Sequence, residues 1–168
     1  VNALFYGVTH GGAAGCGRVF SVEPGDLVRQ VYAYTSLDGV CDPTTVVAGV
    51  DGVIYVSARI VSGSETGSWS VLRIEPDASI TPRAFTLRVP VAAVTPDGTA
   101  FSLSGSYWLL RRAPDGTVAT VLLITPEGFP LFQDIRSIAI TDTGRLIGTL
   151  SVAEYSGYRC DVFRYGSV

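Results

Sequence analysis

The sequence contains no Lys, no Met and a single histidine, His10. All of its basic side chains are Arg: there are 12 of them against 15 acidic ones, for a formal net charge of −3. Charged residues fill only 16% of the 168 positions, where an average soluble domain has about 25%. That balance provides no basic face to displace counterions, so nucleic acid is excluded as a general partner. At 47% hydrophobic the chain is too apolar for disorder. No uninterrupted apolar run approaches the roughly 20 residues of a membrane span. The three cysteines, Cys16, Cys41 and Cys160, are too few for a disulfide scaffold and too widely spaced for a zinc ribbon. No cofactor or metal is expected. The chain opens on Val1 rather than Met, so either a leader has been removed or the chain belongs to a larger product.

Helical periodicity is missing as well. Short runs rich in Val, Ile, Tyr, Phe and Thr recur instead, such as Val53-Ile54-Tyr55-Val56 and Val118-Ala119-Thr120-Val121-Leu122. Between them stand Pro-Asp-Gly turns and their relatives, for example Pro96-Asp97-Gly98 and Pro114-Asp115-Gly116. Pro presets φ at the first corner, Asp can bond its own backbone, and Gly accepts positive φ. The fold class is therefore all-β.

One turn repeats. Gly52, Gly98 and Gly144 are spaced by 46, and Asp51 and Asp97 keep the same interval. The strand that follows lines up each time: Ile54-Tyr55, Ala100-Phe101, Leu146-Ile147. A second motif follows each copy and reads Val19-Phe20-Ser21-Val22, Val71-Leu72-Arg73-Ile74, Leu109-Leu110-Arg111-Arg112 and Val162-Phe163-Arg164-Tyr165. Four units of roughly 45 residues, each of up to four strands, are the signature of a β-propeller. With strands named A to D, blade 1 lacks strand A and blade 4 lacks strand D, giving three, four, four and three antiparallel strands, about 14 in all. The expectation is a single propeller-like domain over 1–168, with blades at about 1–45, 46–88, 89–134 and 135–168, closing as a four-bladed ring or forming part of a larger one.

The stretch from Leu4-Phe5-Tyr6-Gly7 through Gly11-Gly12 to Gly17-Arg18-Val19-Phe20-Ser21-Val22 resembles the GloVer-type tandem repeats of secreted bacterial proteins. The likeness covers roughly 30 residues well, and the later blades keep only its strand and turn pattern. It implies an extracellular or cell-surface propeller and transfers no catalytic residue.

In a propeller the short A–B and C–D turns share one rim, and the longer B–C and D–A loops share the other, where function concentrates. On that rim the candidate ligand- or partner-binding residues are His10, Asp38, Glu65, Trp69, Tyr107, Glu154, Tyr155 and Tyr158. The acids could serve general acid–base work, and exposed rings suit stacking or protein contact. The structural reading of the rings is packing between blades. Cys16, at the start of a strand C, and Cys41, in the next D–A loop, fall on the same rim and are expected to form a disulfide. Closing a loop of about 25 residues, it contributes roughly 3 kcal/mol. A Cys16–Cys160 bridge is the competitor. A zinc site of His10 with the three thiolates lacks any C-x-x-C pair.

No catalytic motif is present, so the expectation is not an enzyme but a secreted or cell-surface structural or adhesive module. Its partner would be a protein, other copies of the chain included, because unpaired strand edges invite completion. The alternative is a carbohydrate-binding lectin using the rim loops, with a glycan as partner. A propeller hydrolase stands behind both.

Overall fold

A computed structural model of the chain describes residues 5–11, 15–49, 52–104, 108–122, 133–141, 143, 145–154 and 157–167. It contains fourteen strands: β1 Phe5–Thr9, β2 Arg18–Glu23, β3 Leu27–Ala33, β4 Val40–Ala48, β5 Ile54–Ile60, β6 Trp69–Ile74, β7 Ile80–Leu87, β8 Val91–Val94, β9 Ala100–Ser104, β10 Trp108–Arg112, β11 Val118–Leu122, β12 Gln133–Ile140, β13 Arg145–Glu154 and β14 Gly157–Ser167. A 3-10 turn spans Ser36–Asp38. The strands form four antiparallel sheets of neighbours in sequence: β1-β2-β3, β4-β5-β6-β7, β8-β9-β10-β11 and β12-β13-β14. This is a propeller-like series of blades with three, four, four and three strands, as the repeats lead one to expect.

The chain divides into two compact units, Val1–Ala48 with Gly52–Pro90, and Gly49–Asp51 with Val91–Val168. In the first, Val19, Tyr34 and Val40 pack with Ile54, Val56, Ala58, Ile60, Leu72 and Ile74. Strand β5 is buried at every position but Arg59, which is why it carries so few polar residues. Each fully buried aliphatic side chain contributes about 1.5–3 kcal/mol. In the second unit Phe101 and Leu109 pack with Ala93 and Leu146.

The turn repeat has one hydrogen-bonding plan. Thr95 N donates to the Thr99 carbonyl at 2.9 Å and Gly98 N to the Thr95 carbonyl at 2.9 Å. Ala113 to Thr117 and Glu75 to Ser79 repeat both bonds. In each, an aspartate accepts from the backbone two residues on: Asp97 from Thr99 at 3.0 Å, Asp115 from Thr117 at 2.8 Å and Asp77 from Ser79 at 2.9 Å. The fourth turn residue is left-handed: Gly98 at φ 84°, Gly116 at φ 91° and, without a glycine, Ala78 at φ 65°.

The N-terminal motif also gains a reason. Gly7 pairs across β1–β2 with Phe20, and a Cβ on Gly7 would collide with the Phe20 ring. The Tyr-Gly and Val-Phe elements of the repeat are complementary halves of one contact.

Two loops differ from expectation. Cys41 lies inside β4 rather than in the loop before it. The last long loop, expected over Val152–Tyr158, is instead a close hairpin, because β13 runs to Glu154 and β14 starts at Gly157, with Ala153 opposite Tyr158. Among the described residues no helix is long and apolar enough to cross a membrane.

Candidate functional site

The first unit contains a cleft of about 180 Å³ between the end of β3, the 3-10 turn, and strands β4, β6 and β7. Tyr32, Tyr34, Val40, Ser70, Leu72 and Pro82 line it, and the exposed Asp38 and Arg83 stand at its mouth.

The local sequence explains the arrangement. Tyr32 and Tyr34 are two apart at a strand end, so both turn to one face. Their rings meet edge to face at 5.0 Å. Tyr34 N donates to the Gly17 carbonyl at 3.0 Å, and Asp42 N donates to the Cys16 carbonyl at 2.9 Å. The Cys16–Cys41 disulfide joins the same two segments, so the cleft's back wall is tied to the β1–β2 connection by one covalent and two hydrogen bonds. The 3-10 turn is capped by its own residues, with Asp38 Oδ2 accepting from Thr35 N at 2.8 Å and from Thr35 Oγ1 at 2.9 Å. Gly39, at φ 63°, ends it.

Arg83 reaches the cleft through a bulge. Register runs from Val71 opposite Phe85 to Arg73 opposite Thr81, which leaves Pro82, Arg83 and Ala84 facing Leu72 alone. Arg83 takes φ 53° there. Bulges of this kind re-aim a side chain at the expense of regular pairing. The guanidinium crosses to donate to the Asp38 carbonyl at 2.7 Å.

The Tyr34 hydroxyl is buried and has no hydrogen-bond partner among the described residues, and the residue as a whole is only 3% exposed. Burial pushes its pKa up, and Tyr32 and Asp38 beside it add to the rise. It therefore remains an O–H donor at neutral pH. Tyr32 is raised for the same first reason and by Asp38, against a lowering influence from Arg83. The cleft thus offers a buried neutral donor, a carboxylate and a guanidinium at its mouth, and walls that are mostly apolar with the buried Ser70 hydroxyl among them. Such a set can hold a small polar group and polarise it.

Of the residues marked on the sequence, Asp38 alone lines this cleft. His10 is exposed just after β1. Glu65, in the β5–β6 connection, accepts from Thr86 Oγ1 at 3.2 Å. That connection is tied to the 3-10 turn, since Val61 N donates to the Gly39 carbonyl at 2.9 Å. Trp69 opens β6, half-buried opposite Leu87. Glu154 and Tyr158 occupy the facing ends of β13 and β14. Tyr107 and Tyr155 lie outside the described residues. Sequence reasoning missed Tyr32, Tyr34 and Arg83. The Tyr-x-Tyr spacing was a usable signal, whereas nothing in Thr81-Pro82-Arg83 announces a left-handed arginine. Among the described residues no group of three or more His, Cys, Asp or Glu side chains converges on a metal position.

No family model matches the chain, and no curated protein matches it significantly. Solved structures do. A luciferin-regenerating enzyme is 9% identical, with a TM-score of 0.50, over 94% of this chain and 61% of its own. A streptogramin B lyase is 12% identical with a TM-score of 0.46, over 97% of this chain and 55% of its own. A structural-genomics protein named as a gluconolactonase is 17% identical with a TM-score of 0.48, over 83% of this chain and 54% of its own. The chain thus spans less than two thirds of the length of each. The first of these likenesses supports the propeller-like fold. The luciferin-regenerating enzyme is a catalyst by name, and this corrects the expectation of a non-catalytic structural or adhesive module. That expectation took the lack of a catalytic motif as a sign of no catalysis. A cleft that joins a short stretch, Tyr34 to Asp38, to a residue 45 positions on, Arg83, leaves no single local motif to find.

Proposed function

We propose that this chain belongs to a propeller-type enzyme that cleaves a bond in a small molecule, by hydrolysis or elimination, and that the Tyr34–Asp38–Arg83 cleft takes the substrate. The observation that carries this reading is the buried Tyr34 hydroxyl without a partner in a cleft that also presents a carboxylate and a guanidinium. Tyr34 donates to an oxygen that gains negative charge as the bond breaks. Asp38, held by Thr35, takes a proton from water or from the substrate. Two of the structural neighbours bear names of this class of chemistry, a lyase and a gluconolactonase. A location outside the cell and the GloVer-type likeness of residues 4–22 belong to the same reading. The Cys16–Cys41 disulfide supports them, because such bonds persist in oxidising compartments.

The test is turnover of a panel of esters, lactones and amides, followed by mass spectrometry. A substrate of this site is converted by the wild type, and Asp38→Asn lowers kcat by about 100-fold, within the range of general-base contributions. Unchanged turnover in both Asp38→Asn and Tyr34→Phe, or no turnover of any panel member, overturns the reading.

A further inference from the structure

The size, walls and charge of the cleft limit what can occupy it. A cavity of about 150 Å³ lined by apolar side chains holds benzene. At about 180 Å³ this cleft has room for one ring and a small substituent. Apart from the buried Ser70 hydroxyl, the walls are Val40 and Leu72, both buried, and Pro82, which bring no side-chain donor or acceptor. A polyhydroxylated ring would bury hydroxyls against them without partners, at a cost of about 1–3 kcal/mol for each. Sugar-like ligands are therefore disfavoured.

Charge is balanced at the mouth. The groups facing the tyrosines are Asp38 and Arg83, one of each sign. An anion attracted by Arg83 meets Asp38, and a cation meets the reverse. Arg83 is already engaged with the Asp38 carbonyl. Recognition then rests on the Tyr34 hydroxyl, which among the cleft-lining residues is the buried polar group with no partner among the described residues. Leaving such a donor unsatisfied costs about 1–3 kcal/mol, and a ligand that brings an acceptor recovers it. Leu37 on the 3-10 turn is 96% exposed, an apolar side chain next to Asp38 that adds to the character of the rim.

We propose that the cleft binds an uncharged aromatic carbonyl compound of one ring, whose oxygen accepts a hydrogen bond from the Tyr34 hydroxyl and whose ring lies against Val40, Leu72 and Pro82. The proposal rests on the reading of this cleft as the substrate site, and it names the substrate class. Tyr34 is then the specificity-determining donor.

The experiment is binding, with no turnover required. Acetophenone, toluene, benzoate and a sugar lactone are each titrated into the full chain, followed by chemical shifts of amides around the cleft and of the Tyr34 Cζ in tyrosine-labelled protein. Acetophenone is expected to bind more tightly than the other three and to move the Tyr34 Cζ resonance. Tyr34→Phe should weaken acetophenone about tenfold and leave toluene unchanged. The Cζ shift keeps the test decisive even if Tyr34→Phe folds poorly. Equal acetophenone affinity in the variant, an unmoved Cζ resonance, or tighter binding of benzoate or of the sugar lactone overturns the proposal. Acetophenone binding through Tyr34 in a protein that turns over nothing upholds this ligand class and removes the enzymatic reading. Turnover of some panel member without such binding does the opposite.

Discussion

The Arg83 guanidinium donates to the backbone carbonyl of Asp38 across 2.7 Å, linking the β7 bulge to the 3-10 turn, 45 residues away in sequence. The contact is made from a left-handed backbone at φ 53°, a conformation that costs an ordinary side chain about 1–2 kcal/mol. Arg83→Ala loses the bond and keeps the strain. Arg83→Gly loses the bond and relieves the strain. The glycine variant should therefore be the more stable of the two by about 1 kcal/mol in urea denaturation. The reverse order would remove the bulge-strain account of this site.

The same reasoning applies to the β6–β7 turn, where Ala78 stands in the left-handed place that glycine holds in the turns at Gly98 and Gly116. Ala78→Gly should stabilise the protein by about 1 kcal/mol. Gly116→Ala, at φ 91°, should destabilise it by a similar amount. Both are read from denaturation midpoints at constant m-value.

These turns also set an acid dependence. Asp97 is held below its ordinary range first by the Thr95 hydroxyl and then by Thr99 N–H. Asp77 is lowered by the Ser79 side chain and backbone, and Asp115 by the Thr117 backbone and side chain. A carboxyl depressed in the folded state contributes stability that is fully present above its unfolded value, near 3.9. That stability is lost as pH falls through the depressed folded value. The thermal midpoint should therefore hold steady from pH 7 to about pH 5 and drop below about pH 4. Asp97→Asn should lower the midpoint at pH 7 and flatten the acid limb. An acid limb as steep in Asp97→Asn as in the wild type would assign the dependence to other groups.

How far the sequence reaches can be judged on particular residues. The blade count was legible because short runs of β-branched and aromatic residues alternate with turns that each have their own chemistry, as in Thr95-Pro96-Asp97-Gly98-Thr99, whose Thr95, Asp97 and Thr99 bond one another locally. Cys16 and Cys41 were legible because the repeat put both on one rim. The cleft was not. Its tyrosines and Asp38 come from one short stretch, 32–38, and meet Arg83 and the β4 and β6 walls only once sheets β1-β2-β3 and β4-β5-β6-β7 are packed. The bulge that turns Arg83 inward depends on a register that no local pattern encodes. Nor did the last hairpin follow its composition: Val152 to Tyr158 read as loop, yet β13 and β14 pair as far as Glu154 and Gly157.

The disulfide supplies a further test. Cys16 and Cys41 close a loop of 25 residues, so replacing both by Ser should cost about 3 kcal/mol. The loss should begin locally. The amides of Tyr34 and Asp42, which donate to Gly17 and Cys16, should lose hydrogen-exchange protection before those of Val56 and Leu72 in the core. Uniform loss across all four amides would show that the staple supports the unit as a whole and not the back wall of the cleft.

The last prediction concerns the motif that suggested the repeat. Gly7 and Phe20 are cross-strand partners, and the ring occupies the space a Cβ on Gly7 needs. Gly7→Ala must displace the ring or bend β1, an overpacking cost of about 1–3 kcal/mol. Phe20→Ala removes that obstacle while losing the ring's own contacts. In the double variant the alanine at position 7 meets no ring, so its cost should fall to a few tenths of a kcal/mol, and the two changes should couple by about 1 kcal/mol or more. Additive effects in this double-mutant cycle would mean that the glycine is kept for the backbone alone, and the complementary-halves account of the motif would fail.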